Sequence, residues 1–291
     1  MKKKVNIFLI VMSTVLMVYA ISLLVPIAWT LMTSLKSRGD FVENIFGLPQ
    51  KYEFGNYLLA IENFFCEVPT ENGTAKIYIE EMVLNSLLYS VGCSFFNVAA
   101  MCVAGYTVSK YSHWPICKVI YSFVFVAMSL PIIGSLSSEI QMAKNLQLYN
   151  KVYGLWIMKT YFIDLYFFVF FAYFKSIPKS FEEAAFIDGA NHWQVFLQIM
   201  LPLAKSMFFT VMLIKFIGFW NDYQTPLVYM PSKPTLSLGL YYYSTSPTNV
   251  LTSVPLKLAG CIIVLIPTLV LFLIFHNKLI GNISIGSGVK G

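Results

Sequence analysis

Charge is scarce in this chain. Aspartate, glutamate, lysine and arginine together make up 12% of 291 residues, where a soluble domain carries about 25%. That leaves too little polar surface to coat a fold in water. Histidine is limited to His113, His192 and His276, each expected at a solvated inner edge. No His-Glu-x-x-His or Cys-x-x-Cys occurs, so those metal and redox motifs are excluded. No Gly-x-x-x-x-Gly-Lys-Ser/Thr loop occurs either, because the glycines at 281, 286 and 288 lack the lysine-hydroxyl pair. Energy for any pumping must come from another subunit or from an ion gradient. Cys66 is the one cysteine of the long polar segment at 34–81, so that segment forms no internal disulfide. It and Cys93, Cys102, Cys117 and Cys261 read as small apolar packers.

What is present is apolar: 57% of residues are hydrophobic and the mean hydropathy is +0.68. Long apolar runs fall at about 7–32, 83–108, 118–136, 152–174, 206–230 and 256–275, each near the ~20 residues a membrane-spanning helix needs. The expected fold is an all-α polytopic membrane protein of about six spans forming one transmembrane domain. The first run is too long for a signal h-region and has no small-residue cleavage site after it, so it reads as a retained anchor kinked by Pro26. Lys2, Lys3 and Lys4 place the N-terminus on the cytoplasmic side. The net charge of +6 is scattered and carries no nucleic-acid signature. The outer segment at 34–81 then holds Asp40, Glu43, Glu53, Glu62, Glu67, Glu71, Glu80 and Glu81 against Lys36, Arg38, Lys51 and Lys76. A second outer loop is expected at about 137–151, and the tail at 276–291 is cytoplasmic. Lys36 and Arg38, directly after the first span, depart from the positive-inside rule.

The segment at 175–206 is the longest mixed polar and apolar stretch on the presumed inner side. Pro178 blocks an incoming helix. Ser180 and Glu183 have capping-box spacing, and Phe181, Ala184, Ala185 and Asp188 share a face. Gly189 supplies a helix stop. Asn191 and Gln194 can cap a second helix, with Trp193, Phe196, Leu197 and Met200 on its apolar face and Pro202 closing it. By periodicity alone this is an interfacial hairpin joining two spans.

The letters add to that. Glu182, Ala184, Ala185, Asp188, Gly189, Ala190, Ile199, Leu201 and Pro202 resemble the EAA loop of ABC importer permease subunits. Pro26, Trp29, Ser34, Leu35 and Lys36, then Leu84-Asn85-Ser86, then Gly105, Tyr106, Ser109 and Lys110 resemble the carbohydrate-uptake, maltose-type second permeases. So do Trp220, Asn221 and Tyr223, and the Gly288-Val289-Lys290-Gly291 end. The resemblance implies a permease in the inner membrane, with N- and C-termini cytoplasmic. Its implied partners are a second permease subunit, two ATP-binding subunits and an extracytoplasmic solute-binding protein. ATP and Mg would be bound by the partner ATPases, with no cofactor and no catalytic residue in this chain. Glu182, Glu183, Ala184, Ala185, Asp188, Gly189 and Ala190 would be the coupling site, Glu182 and Asp188 pairing with bases on the ATPase.

Charges inside membrane spans are costly and usually functional. Lys159 and Asp164 fall in the fourth run, and Lys215 and Asp222 on one face of the fifth. Trp220, Asn221, Asp222 and Tyr223 are candidates for a solute pathway, where acids and amides hydrogen-bond hydroxyls and rings stack; contact with a sister permease is the alternative. A permease for peptide or phosphate, an ion-coupled secondary transporter using Asp164, Asp222, Lys159 and Lys215, and a membrane scaffold stay open as further readings.

Overall fold

The computed structural model describes residues 7–70, 73–130, 134–245 and 253–285. Lys2–Lys4, Glu71, Pro131 and the 288–291 end lie outside them. Helix α1 (Ile7–Ser34) is followed by short helices α2 (Arg38–Glu43) and α3 (Gly55–Glu62), then a two-stranded sheet of β1 (Phe65–Thr70) and β2 (Gly73–Tyr78). Next come α4 (Ile79–Lys110), α5 (Pro115–Ser129), α6 (Leu136–Asn145), α7 (Val152–Met158), α8 (Leu165–Ser176) and α9 (Ser180–Ile187). The run from His192 to Leu203 is α10 (His192–Gln194), a π segment (Val195–Met200) and α11 (Leu201–Leu203). Then follow α12 (Lys205–Asn221), α13 (Gln224–Tyr229), α14 (Leu236–Thr245) and α15 (Val254–Ile285). The fold is helical, as its hydropathy implies.

Among the described residues, Phe8–Ser34 and Ile79–Lys110 are by themselves long and apolar enough to cross a bilayer. His192–Leu203 and Lys205–Asn221 pass that test together, bent by 74° at their junction, and shorter apolar helices lie at Pro115–Ser129, Leu165–Ser176 and Val254–Val270. Two expected runs are interrupted. The run at 152–174 breaks between α7 and α8, and the run at 206–230 breaks at Asp222 and Tyr223. The stretch read as a linker after Pro231 contains α14, with Tyr241, Tyr242 and Tyr243 inside it.

The chain forms two compact units. One comprises residues 1–66 and 239–267. In it the long polar segment is anchored by Lys36, which is fully buried. Its ammonium donates to the carbonyls of Asn44 and Ile45 just past α2. Burial in that cradle, rather than membrane sidedness, accounts for the base directly after the first span. Asn56 Nδ2 donates to Ser34 O and Lys36 O, both at 2.8 Å. Tyr243 stacks on Phe64 with centroids 5.0 Å apart and donates to Leu256 O at 3.0 Å.

The other unit comprises residues 67–238 and 268–291. Its axis is α4, against which α5, α7, α8 and α12 pack. Gly105 permits the α4–α8 approach: a Cβ there would stand 2.7 Å from Phe170 Cβ. Val98, Met101, Cys102, Tyr106, Phe170, Phe174, Met200 and Val211 belong to one buried cluster in it.

Candidate functional site: the inner helical loop

Helix α8 ends at Ser176, one residue before Ile177-Pro178, because proline disfavours helix at the residue preceding it. Helix α9 then runs only from Ser180 to Ile187. Its end is a Schellman turn. Gly189 N–H donates to Phe186 O at 3.1 Å and Ala190 N–H to Ala185 O at 3.0 Å. Gly189 takes φ +84°, with open space where a Cβ would be. The predicted second cap is formed as well. Gln194 N–H donates to Asn191 Oδ1 at 2.9 Å, and Asn191 N–H to Gln194 Oε1 at 2.8 Å.

Three details of this loop differ from the sequence reading. Ser180 is the first helical residue of α9 rather than its cap; the cap position is Lys179 and has no side-chain bond. Pro202 lies inside α11, and the chain bends after it, at Ala204. Between them the π segment takes about one more residue per turn than an α-helix, so positions chosen at α spacing drift apart. Phe196 and Met200 are buried, while Trp193 is 67% and Leu197 53% exposed.

The loop is bolted to its own unit. Ala185, Val195, Phe196, Met200 and Ala204 join the α4–α8 core cluster. Glu182 turns inward to the end of α4, accepting from Tyr106 OH at 3.1 Å and lying 3.7 Å from Lys110 Nζ. Lys110 also donates to Ile177 O at 2.8 Å, and Tyr173 OH to Leu203 O at 2.6 Å. Glu182, expected to pair with a base on a partner, has Lys110 of its own chain as its base here. Residues 182 and 185 share the inward face of α9, and Glu182 is consumed there by Lys110. Tyr111, in the turn after α4, hydrogen-bonds His192 Nδ1 at 2.7 Å. Burial and the nearby Glu182 charge raise its phenol above the usual range.

Glu183, Ala184, Asp188 and Gly189 remain exposed. Phe181, Ala184, Ala185 and Asp188 do share a face: with Ser180, Gly189, Ala190, Gln194, Gln198 and Ile199 they line an open groove of about 660 Å³. Its lining combines the small side chains of Ser180, Ala184, Ala185, Gly189 and Ala190 with the Asp188 carboxylate, which has no partner among the described residues, and this suits a protruding element of another chain.

The second group of candidates is differently placed. Trp220 is 2% exposed, so it is not available to stack on a ring. Asn221 donates back to Ile217 O at 2.9 Å. Asp222 accepts from Tyr89 OH at 2.9 Å and from Thr225 N–H at 3.0 Å, so it fastens the break between α12 and α13 to α4. Tyr223 is half-buried beside it. Asp164 caps α8 through Tyr166 N–H at 3.1 Å and pairs with Lys215, while Lys159 is the residue that ends α7. Asp164 and Lys159 thus sit at helix ends, while Lys215 lies within α12. Asn97, Tyr89, Glu139 and Tyr229 also hold structural contacts, and no motif in the sequence singles them out. Asn97 in the middle of an apolar run was the available signal.

Residues 98–282 match the family of binding-protein-dependent transport system inner membrane components, and the chain belongs to that family. It is a permease component of a transporter, not an enzyme. Such a component works with other transporter subunits and a binding protein, and the family does not favour the ion-coupled reading. The diacetylchitobiose uptake system permease protein NgcG of Streptomyces coelicolor is 25% identical over 96% of this chain and 89% of its own. The multiple sugar-binding transport system permease protein MsmG of Streptococcus mutans is 29% identical over 99% of each. The maltodextrin transport system permease protein MdxG of Bacillus subtilis is 27% identical over 71% of this chain and 74% of its own. In fold, the chain is similar to a crystal structure of a bacterial ABC transporter that imports the acidic polysaccharide alginate. The TM-score is 0.75 at 22% identity, covering 95% of this chain and 98% of that one.

Proposed function

We propose that this chain is one of two permease subunits of an ABC importer for a sugar or oligosaccharide, and that residues 180–203 are its contact with an ATP-hydrolysing partner. The chain spans the membrane about six times, with both termini and this loop on the cytoplasmic side. The observation that carries the reading is the loop itself: a rigid groove, rooted in the core through Glu182 and Ala185, that leaves Glu183, Ala184, Asp188 and Gly189 outward. Small residues allow close backbone approach by a partner, and Asp188 and Glu183 offer charges for its bases. A short helix clamped at its root and gripped at its tip passes on a rigid-body push, which suits alternating access. The sugar assignment draws support from relatives named for diacetylchitobiose, multiple sugars and maltodextrin. Asp222 serves that pathway by holding the α12–α13 break to α4, beside Asn221 and Tyr223, whose amide and phenol are of the kind that hydrogen-bonds sugar hydroxyls.

Gly189→Pro tests the docking. Proline cannot take φ +84°, so the turn must change while the clamp at Glu182 stays. The variant is expected to insert in the membrane and lose its ATPase on purification; full retention of the ATPase would refute the contact. The solute class is tested by the uptake spectrum of a deletion strain across mono-, di- and oligosaccharides, and unimpaired uptake of all of them would refute it.

A further inference from the structure

The chain enters the inner loop along α8 and leaves it along α12, and each of these helices packs chiefly on α4. One polar contact ties α8 to α11 just before the bend into α12, and a second joins the two legs directly. At the loop, Tyr173 OH donates to Leu203 O at 2.6 Å. At the far end, Lys215 Nζ donates to Asp164 Oδ2 at 2.5 Å, with the ammonium 5.2 Å from the centre of the Tyr166 ring. The far contact stands at matching height on both legs. The 12 residues of α8 rise about 18 Å from loop to Asp164, and Lys205 to Lys215 rises about 15 Å. Both side chains are mostly buried, 17% and 19% exposed, so solvent screens the pair weakly.

Immediately before Asp164 the backbone is not helical. Non-helical backbone at membrane depth requires partners inside the protein, and this break has them. Asn97 Nδ2 donates to Lys159 O at 2.9 Å and to Tyr161 O at 3.1 Å, while Asp164 Oδ1 takes the free Tyr166 N–H of α8. The break is thus held from α4 on one side and tied to α12 on the other. A push on the loop reaches both legs. Without the far tie, α8 and α12 can splay about the loop and dissipate it.

We propose that Asp164 and Lys215 are a positioning pair that makes α8 and α12 move as one body, with the stretch at 159–164 as the hinge that absorbs the motion. This rests on the loop being the ATPase contact. The pair touches neither solute nor ATPase; it sets how much of the stroke reaches the outer half of the permease.

The test uses the complete transporter in proteoliposomes with its own ATP-hydrolysing subunits and binding protein, measuring uptake and ATP hydrolysis side by side. Asp164→Asn keeps a helix-capping oxygen but removes the charge; Lys215→Met removes its partner. Each is expected to lower solute moved per ATP about five-fold or more. The double variant leaves no unpaired charge, so its thermal stability returns towards wild type, while solute per ATP stays low. Recovery of wild-type solute per ATP in the double variant would overturn the proposal, because the pair would then matter only for charge balance. The double variant carries this test even where a single variant fails to fold. Absence of the ATPase from purified wild-type chain would instead overturn the docking reading beneath it.

Discussion

Glu182 separates two accounts of the inner loop, and its removal has a calculable cost. Glu182→Gln keeps an oxygen for Tyr106 but leaves the Lys110 ammonium, 5% exposed, with only the Ile177 carbonyl. At 3.7 Å the pair attracts by about 4 kcal/mol at the effective dielectric of such sites. Part of that offsets desolvation, and the remaining hydrogen bonds persist. The net loss is expected at about 2–3 kcal/mol, rising to about 3–5 kcal/mol for Glu182→Ala, which removes both contacts. Lys110→Met with Glu182→Gln leaves no buried charge and gives up only the bond to Ile177 O, so it should lose clearly less than the sum of the two single variants. The assay is thermal unfolding of the purified permease in detergent, run as a double-mutant cycle. Strictly additive losses would refute the clamp. So would a Glu182→Gln chain that is as stable as wild type yet sheds its ATPase, since Glu182 would then face the partner.

Asn97→Leu strands the carbonyls of Lys159 and Tyr161 and should cost about 2–4 kcal/mol. Asn85→Leu, which gives up one 3.2 Å bond to Pro234 O, should cost less in the same melt. Cys66 is 2% exposed and burial pushes its thiol up to about 12. At pH 8 about one molecule in 10,000 carries the thiolate, so a maleimide from either side should leave it unlabelled until the chain is denatured. Glu139 is held below the usual carboxylate range by hydrogen bonds from Ser135 Oγ at 2.6 Å and Tyr229 OH at 2.7 Å. A depressed folded pKa gives stability that is present above the unfolded value near 4.5 and is lost as pH falls through the folded one. The melting-temperature gap between wild type and Glu139→Gln should therefore be full at pH 6 and close progressively below about pH 4.5.

The loop was legible where its letters had only local work to do. Gly189 ends α9 because its φ is open to glycine, and Asn191 caps α10 because its partner Gln194 is three residues away. Both facts are contained in a few consecutive residues. Direction was not. Glu182 and Glu183 are adjacent and chemically alike, and which one turns inward depends on where Lys110 and Tyr106 arrive from a helix 72 or more residues earlier in the chain. The break before Asp164 was hidden for another reason. Thr160, Tyr161, Phe162 and Ile163 are as apolar as the helices on either side, so a hydropathy window averages across them. The π segment has no local signature at all. It places Phe196 and Met200 on the core and leaves Trp193 and Leu197 outside.

The polar residues of α4 explain how an apolar chain tolerates so many interruptions. Tyr89 holds Asp222 at the α12–α13 break, Asn97 holds the carbonyls of the α7–α8 break, and Tyr106 with Lys110 holds the root of the inner loop. Three of the interruptions in unit 67–238 are thus answered from one unbroken helix of 32 residues, while the Gly189 turn closes on its own backbone. In lipid, an unanswered backbone group costs several kcal/mol, which is why these breaks need partners on α4. A continuous α4 is then the reference against which the broken helices shift. Polar residues on it mark where bending is permitted, and apolar ones mark where it is not.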